Sequence, residues 1–456
     1  MNPEFQRNLW LELTPRRLGL MVVLLALAFF AAALTGTAGN GLVLGPLSTT
    51  AEFLYYVIVV VWGTRNAALA VIGEVQARTW DMQRLSAIEP GAMTWGKLFG
   101  ATIFNWFGGA ICLVVLLGET ALHKGVPTAF IALVYYAAVG VIAQAAAFLA
   151  SLIAARRRQA HSRLDVFLYQ LVGLAAGVIV YTVWSIVDPA GSILLRKAAT
   201  DFVVWWSWSF DTRPFLLASL AVFAAWTLTA CYREMRLELK MQNGVLVWLG
   251  FLVFIGVYVA GFDAWLASDK TVAGWDAASL RLGLAATTFA VLTYVMVVLE
   301  PKDRVHFRWL GSQLASGRFA AAWNGLQAWM MAYVAVLLCG AVLLVLLLRH
   351  PPAEAGAPAF IAAGLGFLTR DVWIFVLMQT LPGRRRSDLA ALGVLLALYV
   401  FAPAILNGLG LKSMLAFFYP QPDEPSLLGP AVAWAEGIAV AAAAIGRIGL
   451  AKPAPA

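Results

Sequence analysis

Residues 73–97 read GEVQARTWDMQRLSAIEPGAMTWGK, a polar interruption between the apolar runs AEFLYYVIVVVWGTRNAALAVI (51–72) and LFGATIFNWFGGAICLVVLL (98–117). Each run is long enough to cross a hydrocarbon layer of roughly 30 Å as a helix of about 20 residues. The polar stretch therefore lies outside the bilayer. Thr79 is placed to cap a short helix that runs toward Ile88, and Pro90-Gly91 is expected to end it and reverse the chain. The local reading is span, surface helix, turn, span.

Composition extends that reading to the whole chain. With 62% hydrophobic and 12% charged residues and a mean hydropathy of +0.81, the sequence excludes an ordinary soluble domain and describes an all-α, polytopic membrane protein. Apolar runs begin near residues 18, 51, 98, 128, 165, 214, 245, 282, 329, 359, 389 and 429. They give about twelve transmembrane helices and place both termini on one side. If that side is the cytoplasm, its segments hold 22 of the 32 Lys and Arg, against 8 on the opposite side and two, Arg65 and Arg370, within spans. The bias follows the positive-inside rule. It also accounts for the formal charge of +8 without nucleic acid, because the basic residues are spread over short loops and form no groove or stripe.

On the residues of the opening stretch, Glu74, Thr79, Trp80, Asp81, Leu85, Pro90, Gly96 and Lys97, the chain resembles the permeases of ABC-type exporters, the type 2 ABC transporter permease family. The opening segment NPEFQRNLWLELTPRRL (2–18) is similar to the amphipathic helix that leads those permeases into their first span. The resemblance implies a membrane-spanning permease subunit in which Glu74, Arg78, Thr79, Trp80, Asp81, Arg84 and Leu85 form a coupling helix. That helix rests on one or more separate ABC ATPase subunits on the cytoplasmic face. ATP and Mg²⁺ are then held by the partner and no cofactor by this chain. The implied location is a bacterial cytoplasmic (inner) membrane with both termini inside, and the implied partners are the ATPase and membrane lipids.

Internal repetition points to two six-span halves arranged in parallel: residues 1–231, a cytoplasmic linker at 232–244, and a diverged half at 245–456. Glu74 and Glu300 each end the second span of a half, and triple-Arg turns at 156–158 and 384–386 follow them. Long aromatic-rich loops, 188–214 and 406–430, lie before the last span of each half, as suits segments at the bilayer interface. The second half has EPKDRVHFRWLGSQLASGRFAAAWNGLQAW (300–329) where the first has its short helix. This stretch is longer and lacks the Thr-Trp-Asp pattern.

Catalytic and metal chemistry find no motif. There is no phosphate-cradling GxxxxGK[ST], no GxSxG and no HExxH, and Cys112, Cys231 and Cys339 fall in apolar helices. Four isolated His residues leave only Glu119 with His123 at helical spacing. No catalytic residue, no metal site and no enzymatic activity are expected of this chain. Ionisable groups inside the membrane are costly and mark function or pairing, so Arg65, Arg370, Asp371 and Glu436 are candidates for a translocation pathway. Polar Asn66, Asn105, Gln144 and Gln379 read as interhelical hydrogen-bonding groups. An ion-driven secondary transporter and a membrane assembly protein that transports nothing are the alternatives to the exporter. The charge bias yields a direct expectation: tags at residues 160 and 385 are cytoplasmic and tags near 195 and 420 external. Labelling of either Arg-rich turn from outside contradicts this orientation.

Overall fold

The computed structural model describes residues 2–36, 45–86, 88–156, 163–187, 202–266, 274–352, 356–381, 387–421 and 427–450. Arg157, Arg158 and Arg384 to Arg386 of the triple-Arg turns lie outside the described residues, as do 188–201 and 422–426 of the long loops. Eleven of the described helices are long and apolar enough to cross a membrane, and a shorter apolar helix takes the seventh place. The chain is an all-α polytopic membrane protein. Its contacts divide it into two compact units, Met1–Val203 with Phe210–Asn243, and Val204–Ser209 with Gly244–Ala456.

The first unit opens with the surface helix α1 (Pro3–Glu12), capped by Asn2, whose Oδ1 accepts from the N–H groups of Glu4 and Phe5. Span one is α2 (Pro15–Gly36). Span two is continuous over Gly45–Gln76 and divides into α3 (Gly45–Tyr55), a π-helical segment (Tyr56–Trp62) and α4 (Gly63–Gln76). A short helix, α5 (Trp80–Arg84), precedes α6 (Pro90–Ala101) and α7 (Ile103–Lys124). The remaining spans are α8 (Val126–Arg156), α9 (Arg163–Val187) and α10 (Thr212–Glu238); in the two-stranded ribbon before α10, β1 (Phe202–Trp205) and β2 (Trp208–Asp211), residues 204–209 belong to the second unit. Helix α10 carries span six into the stretch read as a linker.

The π-helical segment explains the amides that the first unit places within its spans. A wider helical turn weakens the main-chain bonding of its carbonyls, and in a dry interior these must find other donors. Asn105 Nδ2 of α7 donates to Ile58 O, Gln144 Nε2 of α8 to Val59 O and Gln170 Nε2 of α9 to Val61 O, all at 2.9 Å. Trp106 Nε1 and Asn66 Nδ2 then donate to the amide oxygens of Gln144 and Asn105. Asn66, Asn105 and Gln144 thus serve as interhelical ties, as their sequence positions predict.

The second unit contains α11 (Leu246–Ala260), α12 (Asp263–Leu266), α13 (Ala277–Leu299), the surface helices α14 (Arg304–Ala315) and α15 (Phe319–Asn324), and the spans α16 (Ala328–Arg349) and α17 (Ala357–Thr380). Span eleven is α18 (Ser387–Leu396), a π turn (Ala397–Phe401) and α19 (Ala402–Gly408). A 3₁₀ segment (Lys412–Phe417) leads to α20 (Leu428–Leu450). Helix α11 has 15 residues, about 22 Å at 1.5 Å per residue. It stops because the chain turns at Gly261, whose carbonyl accepts from Trp206 N, and brings Asp263 within 3.0 Å of Arg281 Nη2. The π turn in span eleven has a chemical origin in Pro403, which offers no N–H to the carbonyl of Tyr399 and crowds it.

Helices α17 and α20 approach closely because their facing residues are small: a Cβ at Gly366 would lie 2.8 Å from the Ala433 Cβ. Small residues supply such contacts in membranes, where lipid is as apolar as Leu. Gln144→Leu removes the side-chain donor to the Val59 carbonyl and the acceptor of Trp106 Nε1 at nearly constant volume. It is expected to cost about 1–3 kcal/mol, read as lower thermal stability in detergent, whereas unchanged stability shows that the π segment needs no donor.

Candidate functional site

The reversal after span two is built by the end of α4. Ala77, Arg78 and Thr79 donate their N–H groups to the carbonyls of Gly73, Val75 and Glu74, closing the helix in the pattern that places one residue in the left-handed region. That residue is Arg78, at φ 58°, where Gly is usual and another L-residue costs about 1–2 kcal/mol. The end of α10 repeats the device with Lys240 at φ 64°. In both places a cation occupies the C-terminal end of a helix, where the macrodipole favours it.

Residues 79–90 differ from their sequence reading in three respects. Helix α5 covers only Trp80–Arg84, Thr79 gives it no side-chain cap, and its hydroxyl instead lies 3.4 Å from Glu74 O. Pro90 does not stop a helix; it opens α6 at a first-turn position, where a missing N–H is no loss. Trp80, which the resemblance places on the helix that meets the ATPase, is not exposed. It is buried among Val71, Ile72, Met93, Phe148, Leu152 and Met235, with its Nε1 donating to Glu238 Oε1 at 3.0 Å. The indole fills the space between the ends of α4, α6 and α10, so its apolar area serves the unit's own packing.

Lys97 of α6 organises what lies behind α5. Its side chain is 1% exposed, and Nζ donates to Glu74 Oε2 at 2.6 Å and Glu4 Oε1 at 3.1 Å. It also lies 5.1 Å from the centre of the Trp80 ring. Glu74 Oε1 accepts from Arg7 Nη2 at 2.7 Å and Gln83 Nε2 at 2.6 Å. Two carboxylates thus face two cations, joining α1, α4, α5 and α6. Backbone proximity makes this possible, since a Cβ at Gly96 would lie 2.8 Å from the Glu4 Cβ. Asn2 Nδ2 and Asn8 Nδ2 donate to the carbonyls of Ala92 and Gly96, so α1 lies along α6. Outward, α5 presents Asp81, Met82 and Leu85, the last 88% exposed. Arg84 bridges the two faces, 3.2 Å from Asp81 and 3.7 Å from Glu238.

Among the translocation candidates, three converge in the second unit and one does not. Arg370 is 3% exposed; its Nε donates to Asp371 Oδ1 at 3.1 Å and its Nη1 to Glu436 Oε2 of α20 at 2.9 Å. Tyr294 and Tyr399 each donate a hydroxyl to Asp371 Oδ2, at 2.7 and 2.6 Å, and the guanidinium lies 4.6 Å and 5.1 Å from the Phe367 and Tyr399 ring centres. Arg370 Nη2 is buried with no hydrogen-bond partner among the described residues. Arg65 is exposed on α4 and joins no ion pair among the described residues.

Sequence reasoning missed Glu4, Arg7, Gln83 and Glu238 in the first site, and Tyr294 and Tyr399 in the second. The signal for α1 was present: Glu4, Arg7 and Asn8 share one helical face, opposite Gly96 and Gly100 at i,i+4 spacing. Tyrosines in apolar runs carry no such mark. The corresponding stretch of the second unit uses a different pattern, with buried Lys302 donating to the Val297 and Glu300 carbonyls and lying 3.2 Å from Asp388. Gln379 Nε2 donates to that same Asp388.

Comparison with protein-family models, with curated proteins and with solved structures gave no match for this chain. Lys97→Met leaves buried Glu4 with only the more distant Arg7 guanidinium, 3.6 Å away, to compensate it, and is expected to cost up to about 3–5 kcal/mol. Adding Glu4→Gln recovers a measurable part of the loss in thermal unfolding of the purified protein. Additive losses show instead that the two residues do not interact.

Proposed function

We propose that the chain is the membrane-spanning permease subunit of an ABC-type exporter, with residues 80–86 the surface on which a separate ATPase docks. The observation that carries this reading is the two-faced construction of α5. Outside are Asp81, Met82 and Leu85, apolar area with one charge, of the kind that anchors protein interfaces. Inside are Trp80, Gln83 and Arg84, bonded to the Glu74–Lys97 network and to Glu238 at the end of span six. A force applied to the outer face passes through short, buried, charge-assisted contacts to the ends of α4, α6 and α10 and to α1. ATP and Mg²⁺ belong to the partner, and the docking face to the cytoplasmic side of a bacterial inner membrane.

A specific observation favours one second reading. Carboxylates held within spans mark ion and proton pathways, and Asp371 with Glu436 supplies two in one cluster, as an ion-driven transporter requires.

Purification of the full chain from native membranes tests the first reading. Wild-type protein is expected to bring down a subunit carrying a GxxxxGK[ST] motif, with ATP hydrolysis. The Met82→Ala, Leu85→Ala variant, which leaves Trp80, Asp81, Gln83 and Arg84 in place, should lose at least 10-fold of that association while remaining folded. Absence of any nucleotide hydrolase, with uptake into vesicles driven by an ion gradient alone, contradicts the exporter and supports the second reading.

A further inference from the structure

A cleft in the second unit opens beside the charged cluster. Its volume is about 610 Å³, and its walls are span eleven beyond the π turn (Ala402, Ile405, Leu406), the 3₁₀ segment (Met414, Phe417, Phe418) and α20 (Val432, Glu436). That size lies within the roughly 300–1,000 Å³ of small-molecule sites, which combine an apolar lining with very few polar groups. Among the described residues the lining holds one ionisable group, the Glu436 carboxylate, 40% exposed. Its Oε2 is fixed by Arg370, and its Oε1 has no hydrogen-bond partner among the described residues.

Charge decides what the cleft accepts. Arg370 carries one positive charge and contacts two carboxylates, Asp371 and Glu436. The hydroxyls of Tyr294 and Tyr399 donate to Asp371 and add no charge. By formal charge the cluster therefore has one carboxylate more than it has cations, and Glu436 is the member that faces the cleft. Arg370 does not line it. Two carboxylates that share one guanidinium beside aromatic and aliphatic walls at membrane depth are costly, and a ligand that brings a second cation to Glu436 lowers that cost. Aromatic side chains reinforce the choice, because ring faces attract cations.

We propose that this cleft is a binding site for a lipophilic cation, with its apolar body against Leu406, Met414, Phe417 and Phe418 and its positive charge on Glu436. The inference does not rest on the exporter reading, since a cluster of this charge beside a cleft of this lining selects the same ligand whatever drives the protein. Binding is also measured without an ATPase, so either reading can fail alone.

The test uses the full chain in lipid nanodiscs and a probe pair of nearly equal shape and opposite charge, tetraphenylphosphonium and tetraphenylborate, with radiolabelled cation displaced by unlabelled cation. Wild-type protein is expected to bind the phosphonium saturably and the borate not at all. Glu436→Gln should weaken the phosphonium at least 10-fold. Val432→Trp, which fills the cleft and leaves the Arg370–Glu436 pair in place, should abolish binding with the fold retained, and it decides the matter if Glu436→Gln is unstable. No saturable phosphonium binding, equal binding of the borate, or wild-type affinity in Val432→Trp overturns the proposal.

Discussion

The ammonium group of Lys97 lies out of water between the carboxylates of Glu4 and Glu74, and most of what is distinctive in the first unit depends on that arrangement. A buried ammonium is tolerated only when it is paired and its protons are bonded. The chain meets that demand from three directions. Helix α1 folds back along α6, made possible by Gly96 and held by Asn2 and Asn8. Span two ends on Glu74 and turns sharply through a strained Arg78. Trp80 covers the ammonium with its ring and fastens α5 to Glu238. None of these elements satisfies Lys97 alone, and this links an amphipathic surface helix to the ends of three spans.

The two units meet the same problem, polar groups in an apolar medium, by different means. The first unit opens a π-helical segment in span two and satisfies its carbonyls with neutral amides from three neighbouring helices. The second unit opens a π turn at Pro403 and uses it to bring Tyr399 to Asp371, with the charges of Arg370 and Glu436 completing the cluster. Amides give a neutral, closed network suited to fixing helix positions. The charged cluster has one carboxylate more than it has cations, beside an open apolar cleft, and that difference separates a structural network from the proposed ligand site.

Runs of about 20 apolar residues declare themselves in sequence because nothing else tolerates them, so the spans were legible, and α11 was shortened only by a turn that depends on the distant pair Asp263 and Arg281. Polar Asn and Gln inside those runs were legible as helix ties for the same reason. The interior of the opening stretch was not. A five-residue helix has too few turns to show a periodicity, so the inward face of Trp80 is set by Glu238, 158 residues away. Pro90 was legible as punctuation, but proline serves both to end and to begin helices, and only the helix that follows decides. Arg370, Asp371 and Glu436 were visible as charges in spans. Their convergence rests on the close approach of α17 and α20, which the small residues Gly366, Ala433 and Gly437 permit without declaring which helices meet.

Lys97 makes α1, α5 and the ends of α4 and α6 one cooperative unit. Hydrogen–deuterium exchange of the purified protein, read by peptide for wild type and Lys97→Met, tests it directly. The account predicts that amides of residues 3–12 and 80–85 are protected together in wild type and lose protection together in the variant, while α8 and α16 exchange as before. Loss confined to one of the two segments, or no change in either, contradicts it.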